Sequence, residues 1–317
     1  MIDQLTSRKT LRQAFERVQE NGGCRGADGM SVQDFAADLE TELGRLEDRL
    51  LRRRYRPFPL LRFAVGKRGG GVRYLCVPTV RDRVAQTAAL LVTQNLFEAE
   101  LEESSYAYRR GRSVRSAIHR VQELRDQGYR FLVEADVDGF FENLPHERLF
   151  ARLRRLQLDP YLIDLFERWV RVEVYDGESI FSLTRGVPQG SVVSPMLANL
   201  FLDELDESLA ELGQATVRYA DDLLLLTKSA AGAAEALELT DLLIADLGLA
   251  LNREKTILTS FEQGFHFLGV TFLKNDIYLP FERPKPERTT PYLPPPLDLW
   301  SYLELRALGK TGCPTST

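Results

Sequence analysis

The chain has 317 residues, 44% of them hydrophobic and 27% charged, which suits one large domain or two smaller ones of ordinary globular composition. No apolar run approaches the roughly 18 residues of a membrane span. MIDQLTSRKT lacks the apolar core of an export signal, and Cys24, Cys76 and Cys313 have no CxxC spacing, so a reducing cytoplasm is expected, without a zinc site or disulfide framework.

In chain order, the apolar spacing predicts helices over 3–20 and 34–54, joined by the turn GGCRGADG. Strands over 61–66 and 72–77 flank Gly69-Gly70-Gly71, a hairpin signal. A helix over 82–101, the loop SYAYRRGRS and a helix over 113–127 follow. FLVEADV (131–137) reads as a buried strand ending on acids. Helices near 146–156 and 160–171 lead to a hairpin over 172–183 that turns on Asp176-Gly177. Pro195 opens a helix reaching about Leu212, a position proline prefers. Strands over 215–219 and 223–227 meet at Ala220-Asp221-Asp222. A helix over 230–247 and strands over 256–260, 265–272 and 276–280 come next. Beyond 283 the chain turns proline-rich, RPKPERTTPYLPPPL, which reads as a semi-extended linker or docking arm with Tyr292, Leu293, Leu297, Leu299, Trp300 and Tyr302 as apolar anchors.

The net charge is −5, yet residues 52–83 carry ten Lys/Arg against Asp82 alone, and residues 105–120 carry five with no acid. These stretches sum to +9 and +5, leaving −19 on the rest. Solvated helix faces usually interleave both signs, so such clustering is expected to face phosphate.

The chemistry centres on VRYADDLLLL, 217–226. Adjacent carboxylates flanked by apolar strand residues are costly to bury without a compensating cation. A plain Asp-Asp turn is the alternative, but FLVEADVDGFF puts Asp136 at the end of a second apolar strand, as though to complete one carboxylate cluster. Hard oxygen ligands of this kind suit Mg²⁺. Between the acids lies RGVPQGSVVSP (185–195), a loop shaped by glycine and proline.

From about Gly26 to Phe272 the sequence resembles the reverse transcriptases, and within them the bacterial group II intron-like branch. GADGMSVQDF looks like that branch's N-terminal block, while GKRGGGVRYLCVPTVRDRVAQ and SYAYRRGRSVRSAI resemble its fingers blocks. ADVDGFFENL, GVPQGSVVSPMLANLFLDELD and YADD match the palm blocks in order, and GLALNREKT and HFLGVTF the closing ones. The resemblance implies an α/β right-hand fingers–palm core, with an antiparallel palm sheet backed by helices. It implies RNA-templated DNA synthesis from dNTPs with two Mg²⁺ or Mn²⁺ ions held by Asp136, Asp221 and Asp222. Phe141 matches the gate that excludes the ribose 2′-hydroxyl. Gln189 and Gly190 match the loop against the incoming nucleotide, Lys67 and Arg73 the triphosphate grip, and Lys255 a lysine that protonates pyrophosphate. Tyr219 sits where the family has a residue near the primer terminus. Asp138 receives no metal role.

Family members often read SYGFRPGRS where this chain has Ala107, Tyr108 and Arg110, so template contacts are expected to differ. The expected division is an N-terminal extension and fingers over 1–125, palm over 126–282, and tail over 283–317, with the thumb reduced or absent. RNA template and primer are the implied partners. CRISPR spacer acquisition from RNA beside an integrase is the implied role, with antiphage defence of another lineage as the alternative. A nucleotidyl cyclase and a catalytically silent RNA-binding scaffold are the readings from other classes. The fingers block and QGSVVSP argue against the first, and the retained aspartates and Lys255 against the second.

Overall fold

The computed structural model describes residues 1–66, 71–279, 291–298, 301–303 and 305. α1 (Ile2–Thr6), α2 (Arg8–Asn21), α3 (Val32–Ala37) and α4 (Leu39–Leu51) lead into β1 (Leu60–Gly66), β2 (Val72–Val77) and α5 (Val80–Glu100). Next come α6 (Val114–Asp126), β3 (Phe131–Asp136), α7 (Phe140–Asn143), α8 (His146–Arg155) and α9 (Pro160–Val170). β4 (Glu173–Tyr175), β5 (Ile180–Ser182), α10 (Ser194–Glu211), β6 (Ala215–Tyr219), β7 (Asp222–Thr227) and α11 (Ala230–Asp246) follow. β8 (Ile257–Ser260), β9 (Phe265–Phe267), β10 (Val270–Leu273) and β11 (Asp276–Tyr278) close the series.

These elements form two units, neither of them one continuous stretch. The first holds Met1–Leu96, Phe150–Ser194 and Thr289–Thr317, and the second Phe97–Leu149 and Pro195–Arg288. No helix among the described residues is long and apolar enough to cross a membrane.

In the first unit a sheet runs β2-β1-β4-β5. β1 pairs antiparallel with β2 and parallel with β4, through Leu60 opposite Val174 and Leu61 opposite Tyr175. Buried Tyr55 links the unit's helices. Its hydroxyl donates to Asp82 Oδ1 at 2.7 Å and accepts from Trp169 Nε1 at 3.0 Å, while Asp82 Oδ2 takes the Phe58 N–H at 2.8 Å. Residues 291–298 lie along this same unit. Arg25 Nη2 donates to the Pro294 carbonyl at 2.6 Å, and the Leu297 N–H to the Ala27 carbonyl at 2.6 Å. Leu297 is buried with Leu61, Phe63, Tyr175 and Ile180, and Tyr302 donates to Glu173 Oε2 at 2.8 Å. Leu297 and Tyr302, two of the tail's apolar anchors, thus pack on their own chain. Leu299, Trp300, Pro284 and Pro286 lie outside the described residues.

The second unit is built on a sheet ordered β6-β7-β3-β8, antiparallel at every pairing. The run Leu223–Leu226 is fully buried, as a central strand covered on both faces requires. Leu224 and Leu226 share one face with Ala117, Val121 and Leu124 of α6 and with Phe261, Phe265 and Phe272. Each such buried side chain contributes about 2 kcal/mol by transfer from water. Helices backing an antiparallel sheet are the expected α/β architecture.

Three local expectations need correction. The helix expected over 3–20 breaks at Ser7, whose side chain caps α2 by accepting from the Thr10 N–H. The helix over 34–54 begins earlier, at Val32, and is interrupted at Asp38, where φ is −122° and ψ 38°. The strand over 265–272 is a hairpin instead. Leu268 and Gly269 take φ of 50° and 83°, the backbone of a two-residue turn, and β9 pairs with β10.

Candidate active site

β6 and β7 form a hairpin whose last pair is Tyr219 opposite Asp222, with Ala220 and Asp221 in the turn. Ala220 has φ 61°, a conformation that costs an L-residue about 1–2 kcal/mol. β3 runs on the other side of β7 and ends with Asp136 opposite Asp222. Opposed residues of an antiparallel pair stand about 5 Å apart at Cα, so the ladder itself brings two of the acids together. The third follows from the turn.

The segment after α11 clips onto the end of β3. Asp138 N–H donates to the Ala250 carbonyl at 2.9 Å, Asn252 N–H to the Asp136 carbonyl at 2.8 Å, and Val137 bridges Leu251. This brings Lys255 Nζ to 3.1 Å from Asp136 Oδ2. That bond raises the lysine above its usual range, so the ammonium stays charged.

Burial pushes the Asp222 carboxyl up to about 6, helped by like charge on Asp221 and Asp136. Asp221 is raised by burial, and Glu134, which shares a face of β3 with Asp136, is raised by burial and by Asp222 and Asp136. This is a concentration of negative charge with Lys255 at its edge. Among the described residues, no three acidic, histidine or cysteine side chains converge on a common point as they stand, and Asp136 is turned to Lys255. The donor set nevertheless fits a hard divalent ion. The oxygens are carboxylate, they sit at one end of adjacent strands, and their mutual repulsion is what such an ion relieves.

Phe141 lies on α7, half-buried, edge-on to Phe140 at 5.3 Å between ring centroids. Phe140 is the core aromatic and packs on Phe201. Half-buried Tyr219 leans on the aromatic cluster that backs the sheet. Tyr108 was not predicted as a site residue. About half of its surface is covered, it takes φ 58°, and its phenol is raised by that partial burial and then by Asp221, Tyr219 and Asp222.

The loop expected to meet the nucleotide lies in the first unit, tied to β2 and α5. Cys76 N–H donates to the Gln189 carbonyl at 2.7 Å. Gly190 has φ 108°, and a Cβ there would stand 3.1 Å from the Cys76 carbonyl oxygen, so a side chain would be strained by the backbone and crowded by β2. Ser191 Oγ and Val192 N–H both donate to Gln86 Oε1 at 2.9 Å. Gln86, an unremarked member of VRDRVAQ in sequence, is the buried clamp of this loop. Arg73 is exposed on β2, opposite Val65. Lys67 lies outside the described residues.

The phosphate-facing expectation fails for several arginines. Arg109 is 8% exposed, pairs with Glu98 at 2.8 Å and donates to the carbonyls of Glu102 and Ser105. Arg83 donates to the Gly22 and Cys24 carbonyls at 3.0 and 2.8 Å, and Arg81 pairs with buried Asp82 at 2.9 Å. Arg112 binds the Glu103 and Ser105 carbonyls and covers Tyr106. Clustered arginines here satisfy loop carbonyls and buried acids. Arg110 and Arg115 stay exposed.

A family model described as reverse transcriptase (RNA-dependent DNA polymerase) matches residues 65–272. Protein YkfC of Escherichia coli K12 is 31% identical over 283 residues, 77% of this chain and 74% of that protein. The group II intron-encoded protein LtrA of Lactococcus lactis subsp. cremoris is 27% identical over 202 residues, covering 63% of this chain and 33% of LtrA. The chain thus spans three quarters of one relative and a third of the other. Among solved structures, telomerase from Candida tropicalis with a TWJ fragment of telomeric RNA superposes with a TM-score of 0.57 at 13% identity, covering 82% of this chain and 50% of that one, a likeness of fold.

Proposed function

Because the chain belongs to the reverse transcriptase (RNA-dependent DNA polymerase) family, we propose that it extends a primer with dNTPs on an RNA template, with Asp136, Asp221 and Asp222 as its metal ligands. The observation that carries this reading is the register of β3 against β7, which sets Asp136 opposite Asp222 next to the turn that holds Asp221. Two Mg²⁺ or Mn²⁺ ions, when bound, would supply activation of the primer 3′-hydroxyl and charge neutralisation at the leaving pyrophosphate.

The chain's own groups are assigned the rest. Lys255, kept protonated by Asp136, would deliver a proton to the leaving group. Phe141 would close off the space a 2′-hydroxyl needs, and Tyr219 would rest against the primer end. Lys67 and Arg73 would bind triphosphate oxygens as cations do, and Gln189 and Gly190 would line the nucleotide. For the natural setting we propose spacer acquisition from RNA beside an integrase, and co-purification of the protein with a CRISPR integrase tests it.

The direct test is template dependence. Incorporation of each dNTP should follow the base opposite it in a primed RNA template. Nucleotide cyclisation, or incorporation indifferent to the template base, would place the chain among other palm enzymes.

A further inference from the structure

The catalytic hairpin is anchored from behind by a buried cation that the proposed chemistry does not use. Arg218, on β6 one residue before Tyr219, is 1% exposed. Its guanidinium has five N–H groups, and all five are engaged. Nε faces both carboxylate oxygens of Asp206 at 2.9 Å, and Nη2 binds Asp206 Oδ2 and, at 2.9 Å, Ser105 Oγ. Nη1 donates to Asn199 Oδ1 at 2.9 Å and to the Ala220 carbonyl at 3.0 Å. Asp206 and Asn199 lie seven residues apart on α10, two helical turns on one face. Asn199 Nδ2 in turn donates to the Ala107 carbonyl at 2.7 Å. The backbone repeats the connection, with Arg218 N–H donating to the Ser104 carbonyl at 2.8 Å and Tyr106 N–H to the Arg218 carbonyl at 2.9 Å.

One side chain therefore joins α10, Ser105 and the carbonyl of Ala220, and the backbone of the same residue adds Ser104 and Tyr106. That carbonyl belongs to the residue held at φ 61°, immediately before Asp221 and Asp222. An alanine in this conformation persists when its surroundings over-determine it. A buried ion pair is a poor device for stability, since an apolar pair of similar volume often does as well or better. It is a good device for direction, because a planar fork fixes several oxygens at once.

We infer that Arg218, locked by Asp206 and Asn199, is a positioning residue that holds the Ala220 carbonyl and thereby sets where Asp221 and Asp222 present their carboxylates. The inference rests on the reading of this hairpin as catalytic. It predicts a loss in turnover rather than in substrate binding.

The test compares wild type, Arg218→Lys and Arg218→Lys/Ala220→Gly in primer extension, thermal unfolding and amide hydrogen exchange. Lysine keeps a charge for Asp206 but cannot reach the other oxygens with one ammonium. Arg218→Lys should lower kcat by about 10²-fold, the scale of a misplacement of about 1 Å, with KM for dNTP little changed. Exchange at residues 219–222 should quicken by about tenfold while 132–134 in β3 stays protected. Adding Ala220→Gly should restore part of kcat, because glycine takes φ 61° without an external restraint. A purely structural arginine would not be rescued by a change in the turn. Folded Arg218→Lys with wild-type kcat, or no rescue by glycine, overturns the inference. Should lysine prevent folding, Arg218→Met/Asp206→Leu removes both buried charges. It should fold with kcat still depressed, and wild-type kcat or failure to fold there overturns the inference too. If wild type itself extends no primer, the catalytic reading falls, and the exchange measurement still decides whether Arg218 restrains the hairpin.

Discussion

Substituting Gly190 by alanine perturbs the nucleotide loop at its tightest point. The residue has φ 108°, where an L side chain is strained by about 1–3 kcal/mol. The added Cβ would stand 3.1 Å from the Cys76 carbonyl oxygen and 3.5 Å from the Cys76 nitrogen, so it meets backbone that cannot rotate away. The loop's relief is to withdraw from β2, which stretches the 2.7 Å bond between Cys76 N–H and the Gln189 carbonyl, worth about 1 kcal/mol. The two terms together come to about 2–4 kcal/mol, and Gln86 resists the withdrawal by holding Ser191 and Val192. Gly190→Ala should therefore lower Tm by several degrees, at about 2–4 °C for each kcal/mol in a domain of this size. If the shifted loop forfeits about 1.4 kcal/mol of nucleotide binding, KM for dNTP rises about tenfold. Differential scanning calorimetry and dNTP titration of primer extension give the two numbers. Wild-type Tm and KM in the variant would refute both the tight approach and the loop's role.

Phe141→Ala should raise ribonucleotide incorporation relative to dNTP, read from matched single-nucleotide extensions, and an unchanged ratio removes the gate assignment. Arg109→Ala should cost about 2–4 kcal/mol in urea unfolding, because it removes a buried guanidinium that pairs with Glu98 and donates to the Glu102 and Ser105 carbonyls. Arg110→Ala should leave stability alone and reduce the salt slope of template binding by about one unit. In EDTA, Asp222→Asn should stabilise the protein. The wild-type carboxyl is raised to about 6, so the penalty on its ionised form is absent below about pH 4, grows through pH 6 and is complete at pH 8. Because the side chain reaches solvent, the gain at pH 8 is discounted to about 1 kcal/mol, and a Tm difference that does not vanish toward pH 4 contradicts the mutual repulsion.

What could be read from the sequence was whatever a local pattern encodes. Strand 131–136, the hairpin 215–227 and the helix opened by Pro195 carry their period and turn chemistry in plain view, and the three aspartates stand at strand ends. The break at Ser7 was hidden because the apolar stripe continues across it, while the cap is a single hydroxyl. The β9–β10 turn was hidden because Leu268 is a poor marker of positive φ and only Gly269 signals it. The arginines show the limit most clearly. Arg109 and Arg110 are neighbours of the same type, yet one is buried against Glu98 and the other exposed. Charge counting cannot separate them, since the carbonyls that capture Arg109 belong to a loop whose path is set by tertiary packing. Gln86 and Arg218 escaped for a related reason. The partners of Gln86 lie about a hundred residues away and those of Arg218 are spread over α10 and the loop at Ser105, and a residue that acts by holding others has no motif chemistry of its own.

The most direct test of the central claim is single-turnover extension of a primed RNA template by wild type, Asp136→Ala and Asp221→Ala, each checked for folding by thermal unfolding. Wild type should carry out template-directed DNA synthesis that stops in EDTA, and neither folded variant should extend the primer. Extension by Asp136→Ala or Asp221→Ala at near the wild-type rate, or synthesis undiminished in EDTA, would contradict the claim.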